Sequence, residues 1–199
     1  MKKENVLIVV IALVIGLLGG FLIFSLSSKN EAPPQTGGMP AGSGSPVDYQ
    51  QRIAELEKVV ASDPKNLQAL TMLANDYYDT DQPQKAIDTY AKALALDPRN
   101  PNLLTDQGVM YKRLGENNKD QANFAKAMAN FEKAQSIDPK HLQSLYNIGI
   151  IYAEDLKQPD KALKAWAHYL EMDGTSPAAQ QVKRMIEQTK AASPKGNAK

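Results

Sequence analysis

Cysteine does not occur in the 199-residue chain, and its absence excludes disulfides, thiolate metal sites and cysteine nucleophiles. Neither sign of charge predominates, because 23 Lys and Arg residues stand against 22 Asp and Glu residues. The basic patch of a nucleic-acid-binding surface is therefore not expected. Histidine is scarce, and both His141 and His168 are interpreted as surface residues. Neither lies in an HExxH motif, so we expect no metal site.

Motifs of the common enzyme classes are missing as well. The chain has no G-x-S-x-G, Walker or dinucleotide-binding sequence, and the glycines at 37–44 lack the Lys-Ser/Thr ending of a phosphate loop. Asp63, Asp97 and Asp138 each precede a proline, a position typical of helix ends. They leave no acid and base pair to propose. We expect neither catalysis nor a cofactor.

The amino terminus contains one long apolar run. Residues 6–26 carry no charge, and at about 1.5 Å per residue they can cross a hydrocarbon core of about 30 Å. A cleaved signal peptide is the alternative, but its apolar region is only about 7–15 residues long. Ser25-Leu26-Ser27 is also a weak cleavage site. We therefore predict an uncleaved transmembrane anchor that follows a cytoplasmic stub at residues 1–5.

Flanking residues give this anchor an orientation. Lys2 and Lys3 should stay in the cytoplasm, so the chain would sit in a bacterial inner membrane with the rest in the periplasm or outside. Gly16 and Gly20 form a GxxxG pair, which predicts either a helix–helix contact in the bilayer or the glycine content usual for membrane helices. Residues 27–46 are rich in Gly, Pro and Ser and are predicted to be a flexible linker.

Residues 67–100 hold the pattern that the rest of the chain repeats. Two sets of apolar residues recur at three- and four-residue spacing, which places each set on one face of a helix. These sets are Leu70, Leu73, Ala74 and Tyr77, then Ala86, Tyr90, Ala93 and Leu94. Asp81-Gln82-Pro83 separates the two sets, and Asp97-Pro98 ends the second. The segment is predicted to be a helix hairpin.

The same residues resemble the tetratricopeptide repeat (TPR), whose signature is W-x2-L-G-x2-Y…A-x3-F…P. Leu70 stands in place of the tryptophan and Tyr90 in place of the phenylalanine, while Pro98 closes the repeat. The resemblance implies an all-α fold, a right-handed α-solenoid of helix hairpins. It also implies a concave groove that binds peptides or proteins.

Similar segments complete a predicted TPR domain at residues 47–191. They are a lone helix at 48–63, repeats at 101–141 and 142–176, and a polar capping helix at 177–191, before a disordered tail at 192–199. Trp166 matches the position of Tyr90, so we expect it to pack in the core. Gln107 departs from the pattern, because it stands where an apolar residue is expected.

The later repeats also differ from the first in length. The second has seven extra residues, which are predicted to form a longer turn from Gly115 to Lys119 and an extension of the second helix. Phe124 would then be either exposed, the favoured interpretation, or folded back onto Leu114. The third repeat has one extra residue near Gln158-Pro159, which is assigned to the loop.

The resemblance further implies that the groove is lined by the first helix of each repeat. Mapped onto this chain, the lining residues are Asn75, Tyr78, Thr105, Val109, Lys112, Tyr146 and Ile150. The alternative is that several of them simply pack on the neighbouring repeat. The carboxylate clamp of chaperone-tail TPRs is not expected. Its positions hold Thr71, Asn75, Asp106, Gln143 and Asn147. Only Asn75 fits, and Asp106 would repel a carboxylate.

These features predict a single-span, membrane-anchored TPR scaffold that binds a peptide or protein client. The anchor and the sequence AWAHYLE at 165–171 are similar to TPR subunits of bacterial cytochrome c maturation systems, which implies apocytochrome tails as the client. An ancillary chaperone of the secretion translocon is one alternative. A self-assembling homo-oligomeric scaffold, with contacts through Gly16, Gly20 and Phe124, is another.

Overall fold

The computed structural model describes residues 48–192, which form eight helices and, within that range, no strand. The helices are α1 (Tyr49–Ser62), α2 (Leu67–Asp79), α3 (Pro83–Leu96), α4 (Pro101–Asn118), α5 (Gln121–Ile137), α6 (Leu142–Ile150, continued by a π-helical turn at Ile151–Asp155), α7 (Pro159–Met172) and α8 (Pro177–Ala192). None of these helices is long and apolar enough to cross a membrane. The predicted anchor at 6–26 with Gly16 and Gly20, the linker at 27–46 and residues 193–199 lie outside the described residues.

Short polar side chains begin most of these helices. The Asp48 carboxylate accepts a hydrogen bond from the Gln51 N–H at 3.1 Å, and the Asn66 amide oxygen accepts one from the Ala69 N–H at 2.9 Å. The helices α4, α5, α6 and α8 are capped in the same way by Asn100, Asp120, His141 and Ser176. These bonds satisfy N–H groups that have no partner inside the helix.

The core contains the large side chains that the repeat pattern places there. Side chains that are at most 1% exposed include Leu70, Tyr90, Phe131 and Trp166. Two of these aromatic rings lie directly against glycines of the preceding helix. A Cβ on Gly108 would lie 2.5 Å from Phe131 Cε1, and one on Gly149 would lie 2.1 Å from Trp166 Nε1. The prediction that Trp166 packs in the core is therefore confirmed.

Two buried polar side chains join neighbouring helices. Gln107 donates from Nε2 to the Ile87 carbonyl on α3 at 3.0 Å, and its Oε1 accepts from Asn130 Nδ2 on α5 at 2.8 Å. Asp76, only 1% exposed, accepts a hydrogen bond from Arg52 Nε on α1 at 2.7 Å. Burying such groups is unfavourable unless they are hydrogen-bonded, and these bonds satisfy them.

The seven extra residues of the second repeat lengthen both helices instead of the turn. The helices α4 and α5 have 18 and 17 residues, against 13 in α2 and 14 in α3. The prediction of a turn from Gly115 to Lys119 is wrong, because Gly115 is buried inside α4. Phe124 is 6% exposed and its ring lies beside Gly115. The exposed interpretation of Phe124 is therefore also wrong, since the missing side chain of the glycine leaves room for the ring.

The extra residue of the third repeat lies inside a helix. Residues 80–82 connect α2 with α3, and residues 156–158 connect the π-helical turn with α7. Asp81 and Lys157 occupy the same place in the two connections, with φ of 55° and 54°. The Leu156 N–H donates to the Ile151 carbonyl, five residues earlier, at 2.9 Å, which is the π-helical pattern. The assignment of this residue to the loop is wrong, because a widened helical turn takes it up.

Candidate functional site

A polar depression opens where α2, α3 and α4 meet. Its volume is ≈ 290 Å³, and it is lined by Asn75, Tyr78, Asp79, Tyr90 and Asp106. The structure thus brings together two predicted groove residues, Asn75 and Tyr78. The Tyr90 hydroxyl donates to Asn75 Oδ1 at 2.7 Å, so a core aromatic residue of α3 positions an exposed amide of α2. We call this site the α2–α4 depression.

Asp106 is the group of the α2–α4 depression that lacks an internal partner. Its carboxylate is half-buried, and no residue in the range 48–192 donates a hydrogen bond to it or forms an ion pair with it. Burial raises the pKa of the Asp106 carboxyl from 3.8 to about 6, because desolvation disfavours the charged form. Burial, and then the charge of Asp106, also raises the pKa of Tyr78 and Tyr90. Asp106 can therefore accept hydrogen bonds from outside the chain.

Arg113 borders this depression, but its charge already has a partner. Its Nη1 lies 3.1 Å from Asp81 Oδ1 and 3.4 Å from the Tyr78 carbonyl oxygen. The guanidinium carbon lies 5.5 Å from the centre of the Tyr78 ring, a cation–π distance. Asp79, the second carboxylate of the depression, accepts a hydrogen bond from the neutral Tyr49 hydroxyl at 3.3 Å. The α2–α4 depression is therefore acidic.

Lys112, another predicted groove residue, lies in a cluster of carboxylates. Its ammonium contacts Glu116 and lies 3.9 Å from Glu154 Oε2 and 3.6 Å from Asp155 Oδ2. Burial lowers the pKa of Lys112, but the three carboxylates outweigh burial and raise it. The Asp155 side chain is 9% exposed, and its Oδ2 accepts no hydrogen bond from any residue within 48–192. Burial raises the pKa of Asp155 despite the nearby ammonium. One cation here faces three carboxylates.

Thr105 and His141 meet in the contact between the second and third repeats. Thr105 is fully buried and its Oγ1 lies 3.4 Å from His141 Nδ1, so it packs on the neighbouring repeat, which is the alternative that the sequence left open. His141, predicted as a surface residue, is half-buried and its Nε2 lies 2.9 Å from Asn102 Oδ1. Burial lowers the pKa of His141. Val109 is half-buried and packs against core residues.

The predicted groove residues of the third repeat lie apart from the α2–α4 depression. Tyr146 is half-buried, and its hydroxyl accepts a hydrogen bond from Gln181 Nε2 on α8 at 2.9 Å. The Tyr146 carbonyl accepts another from Trp166 Nε1 at 3.1 Å. Ile150 is half-buried and packs in the same cluster. These residues therefore support the last repeat and offer less free polar capacity than Asp106.

A larger depression of ≈ 470 Å³ lies between α1, α2 and α3. Its charged residues are Glu57 and Lys92, which have opposite signs. The Tyr77 hydroxyl donates a hydrogen bond to Glu57. Within residues 48–192 no group of His, Cys, Asp and Glu side chains could hold a metal ion. This larger depression therefore carries balanced charge, whereas the charged residues lining the α2–α4 depression are both carboxylates.

Three residues that line the α2–α4 depression were not among the predicted groove residues: Asp79, Tyr90 and Asp106. Asp106 was considered only as a position of the carboxylate clamp. Tyr90 matches a core position of the repeat, so its contact with a surface amide had no signal in the sequence. Asp106 directly follows the predicted Thr105. Successive residues of an α-helix point about 100° apart, so an error of one position selects a buried side chain.

Two segments of the chain match models of a known family, the tetratricopeptide repeat. The matched residues are 67–100 and 106–141. The first range covers α2 and α3, and the second covers most of α4 together with α5. Both matches are therefore helix hairpins in the structure.

Similar proteins carry the same arrangement of helices. The crystal structure of MamA has a TM-score of 0.61 and 22% sequence identity over 72% of this chain and 80% of its own. The first TPR of Spaghetti (RPAP3), bound to the HSP90 peptide SRMEEVD, has a TM-score of 0.54 and 25% identity over 65% of this chain and 97% of its own.

A curated relative covers more of the chain. The HSC co-chaperone sgt12 of Aspergillus fumigatus is 27% identical over 168 residues, which is 84% of this chain and 45% of the relative. The chain spans less than half the length of the curated relatives it matches. The matched repeats, together with their helix pairs, show that the chain belongs to the tetratricopeptide-repeat family.

Proposed function

We propose that this TPR domain is a scaffold that binds a peptide segment of another protein along α2, α4 and α6. The observation that carries the proposal is the α2–α4 depression, where the Asp106 carboxylate lies beside two aromatic rings and has no hydrogen-bond partner in residues 48–192. Binding sites typically combine apolar walls with a few polar groups that fix the orientation of the ligand. The similar RPAP3 repeat, which was solved with a peptide, supports this proposal.

Binding fits this site better than catalysis does. A general acid or base needs a reacting group within hydrogen-bond reach, and a nucleophile needs an adjacent base. Asp106 is accompanied by a second carboxylate and two tyrosines, and no Ser, Thr, Lys or His lines the depression. The arrangement can hold a ligand through hydrogen bonds and charge.

The cellular setting is a further part of the proposal, and the sequence alone supports it. Residues 6–26 would anchor the chain in a bacterial inner membrane, with the TPR domain in the periplasm. The similarity of residues 165–171 to TPR subunits of cytochrome c maturation favours apocytochrome tails as clients. All of that segment lies in α7 of the last repeat and includes the buried Trp166.

Photocross-linking in cells tests both the binding surface and the client. A photoreactive phenylalanine analogue replaces Tyr78 in one variant and Tyr146 in a second, since the ring size is nearly unchanged at both positions. A third variant carries the analogue at Lys164, which is exposed on the second helix of the last repeat. Captured proteins are identified by mass spectrometry.

The proposal expects client capture from Tyr78 and Tyr146 and little from Lys164. Recovery of apocytochromes or haem-attachment subunits would support the maturation role. Recovery of translocon subunits with unfolded exported proteins would replace it with a secretion chaperone, and recovery of the chain itself would indicate a self-assembling scaffold. Equal capture from all three positions would refute the proposed binding face.

A further inference from the structure

The α2–α4 depression offers mainly hydrogen-bond acceptors to a ligand. Asp79 and Asp106 contribute carboxylates from α2 and α4. The Tyr90 hydroxyl has already donated its hydrogen to Asn75 Oδ1. A ligand group that brings hydrogen-bond donors and positive charge would therefore complement the site, while a second carboxylate would be repelled.

Among residues 48–192, no Lys, Arg or His forms an ion pair with the carboxylates of this depression. None of the residues that line it is Lys, Arg or His. The nearby Arg113 pairs with Asp81 through a contact of 3.1 Å, and Tyr49 approaches Asp79 only with a neutral hydroxyl. Two carboxylates therefore share a half-enclosed site with no compensating charge among residues 48–192.

A second acidic group lies further along α4. Lys112 is six residues after Asp106, about 9 Å along the helix at 1.5 Å per residue. Its single ammonium faces Glu116, Glu154 and Asp155, so two negative charges remain in excess. The buried Asp155 Oδ2 is 3.6 Å from this ammonium and accepts no hydrogen bond from the described residues. Negative charge thus extends along α4 beyond the first depression.

The walls of the α2–α4 depression suit a cation as well. The half-buried Tyr78 side chain lines it, and aromatic rings attract ammonium and guanidinium groups. Arg113 already uses the Tyr78 ring in this way, at 5.5 Å. The volume of ≈ 290 Å³ corresponds to roughly ten water molecules at about 30 Å³ each, which is ample room for the end of a long side chain.

We propose that the α2–α4 depression holds a lysine or arginine side chain of the bound peptide, with Asp106 as its main ionic partner and Asp79 as the second. The inference rests on the proposed peptide-binding function and adds the chemical class of the client, a basic segment. The contrast with the RPAP3 repeat is direct, because its peptide SRMEEVD contains three acidic residues. At its Asp106 position this chain would repel such a peptide.

Peptide pools provide the test, using the full chain in a mild non-ionic detergent. Each fluorescent pool has one fixed central residue, which is Lys, Arg, Gln or Glu, and the other positions carry the same mixture of uncharged residues. Fluorescence anisotropy should show the Lys and Arg pools binding about tenfold more tightly than the Gln and Glu pools. Added salt should weaken the binding of the Lys and Arg pools more than the binding of the Gln pool.

Two matched variants locate the effect. Asp106→Asn should lower the affinity for the Lys pool about tenfold. It should change the affinity for the Gln pool by less than about twofold. Asp88→Asn makes the same charge change at an exposed position of α3 outside the depression and should leave every pool unchanged. Asp79→Asn should cause a smaller loss of affinity for the Lys pool, because Asp79 is the second ionic partner. Far-UV circular dichroism checks that each variant is folded.

Each result bears on a different claim. A preference for Lys and Arg that survives in Asp106→Asn would overturn the assignment of the ionic partner. Equal binding of all four pools would overturn the basic-client inference and leave peptide binding in place. Absence of binding by every pool would overturn the proposed function together with the inference.

Discussion

The Asp106→Asn variant should be more stable than the natural protein at neutral and alkaline pH. Burial raises the pKa of Asp106 from 3.8 to about 6, so the folded state holds its charge less favourably than the unfolded state does. A shift of about two pH units corresponds to about 3 kcal/mol at 1.36 kcal/mol per unit. Solvent that reaches this half-buried carboxylate screens part of the effect, and we expect a gain of about 1–2 kcal/mol.

The gain should depend on pH in a defined direction. The folded pKa lies above the unfolded pKa, so the destabilisation is complete above about pH 6 and disappears as the pH falls towards 3.8. At about pH 4 the natural Asp106 is protonated in the folded protein and, like asparagine, is neutral. The two proteins should therefore differ in stability at about pH 8 and converge at about pH 4.

Urea unfolding, monitored by circular dichroism at about pH 8 and about pH 4, measures the gain in the free energy of unfolding and its dependence on pH. The Asp88→Asn variant serves as the control, because an exposed substitution should change the free energy of unfolding by less than about 0.5 kcal/mol. A loss of stability in Asp106→Asn at about pH 8, or an equal gain at both pH values, would refute the reasoning. A loss would mean that the Asp106 carboxylate has a favourable partner in the intact protein. An equal gain at both pH values would mean that the gain does not come from the charge of Asp106.

Three further substitutions test the packing of the repeats. Gly149→Ala should cost about 1–3 kcal/mol, because the new Cβ would lie 2.1 Å from Trp166 Nε1; an unchanged thermal midpoint would contradict this contact. Asp76→Asn should cost about 1–3 kcal/mol in urea unfolding, since Arg52 loses its carboxylate partner. Asp88→Asn is the control, because Asp88 is exposed and accepts its hydrogen bond from Gln84 on its own helix. Gln107→Leu should cost a similar amount, because Ile87 and Asn130 lose hydrogen bonds, and faster hydrogen exchange in α3 and α5 would report it.

The helices and the core could be predicted because the sequence pattern records which face of each helix is buried. Apolar spacing placed Leu70, Leu73 and Tyr90 on buried faces, and Asp-Pro pairs marked the helix ends. These signals are local, since each involves residues within two helical turns. The same pattern carried the resemblance to the TPR family.

The placement of the additional residues could be predicted only in part, because the second helix of the repeat is extended as expected but the longer turn is absent. Seven residues make almost two helical turns, so they preserve the buried face whether they extend one helix or both. The choice depends on contacts across the hairpin, such as the ring of Phe124 beside Gly115. Such contacts join residues whose spacing in the sequence carries no periodic signal.

The candidate site was predictable only to the level of the helix. The family pattern directed attention to the first helices, and Asn75 and Tyr78 do line the α2–α4 depression. The missing step was the rotation of α4, which buries Thr105 and turns Asp106 towards the depression. Rotation about a helix axis depends on the packing of three helices at once, and one buried hydrogen-bonding residue, Gln107, contributes to it.

The π-helical turn at Ile151–Asp155 makes the third repeat tolerant of a change in chain length. An inserted residue in a regular α-helix rotates every later side chain by about 100° and would move the following hairpin. Here the wider turn absorbs that rotation, so Lys157 takes the same backbone conformation as Asp81 and Trp166 still packs on Gly149. A repeat of this kind can gain a residue at the end of its first helix while the helix hairpin that follows keeps its place in the stack.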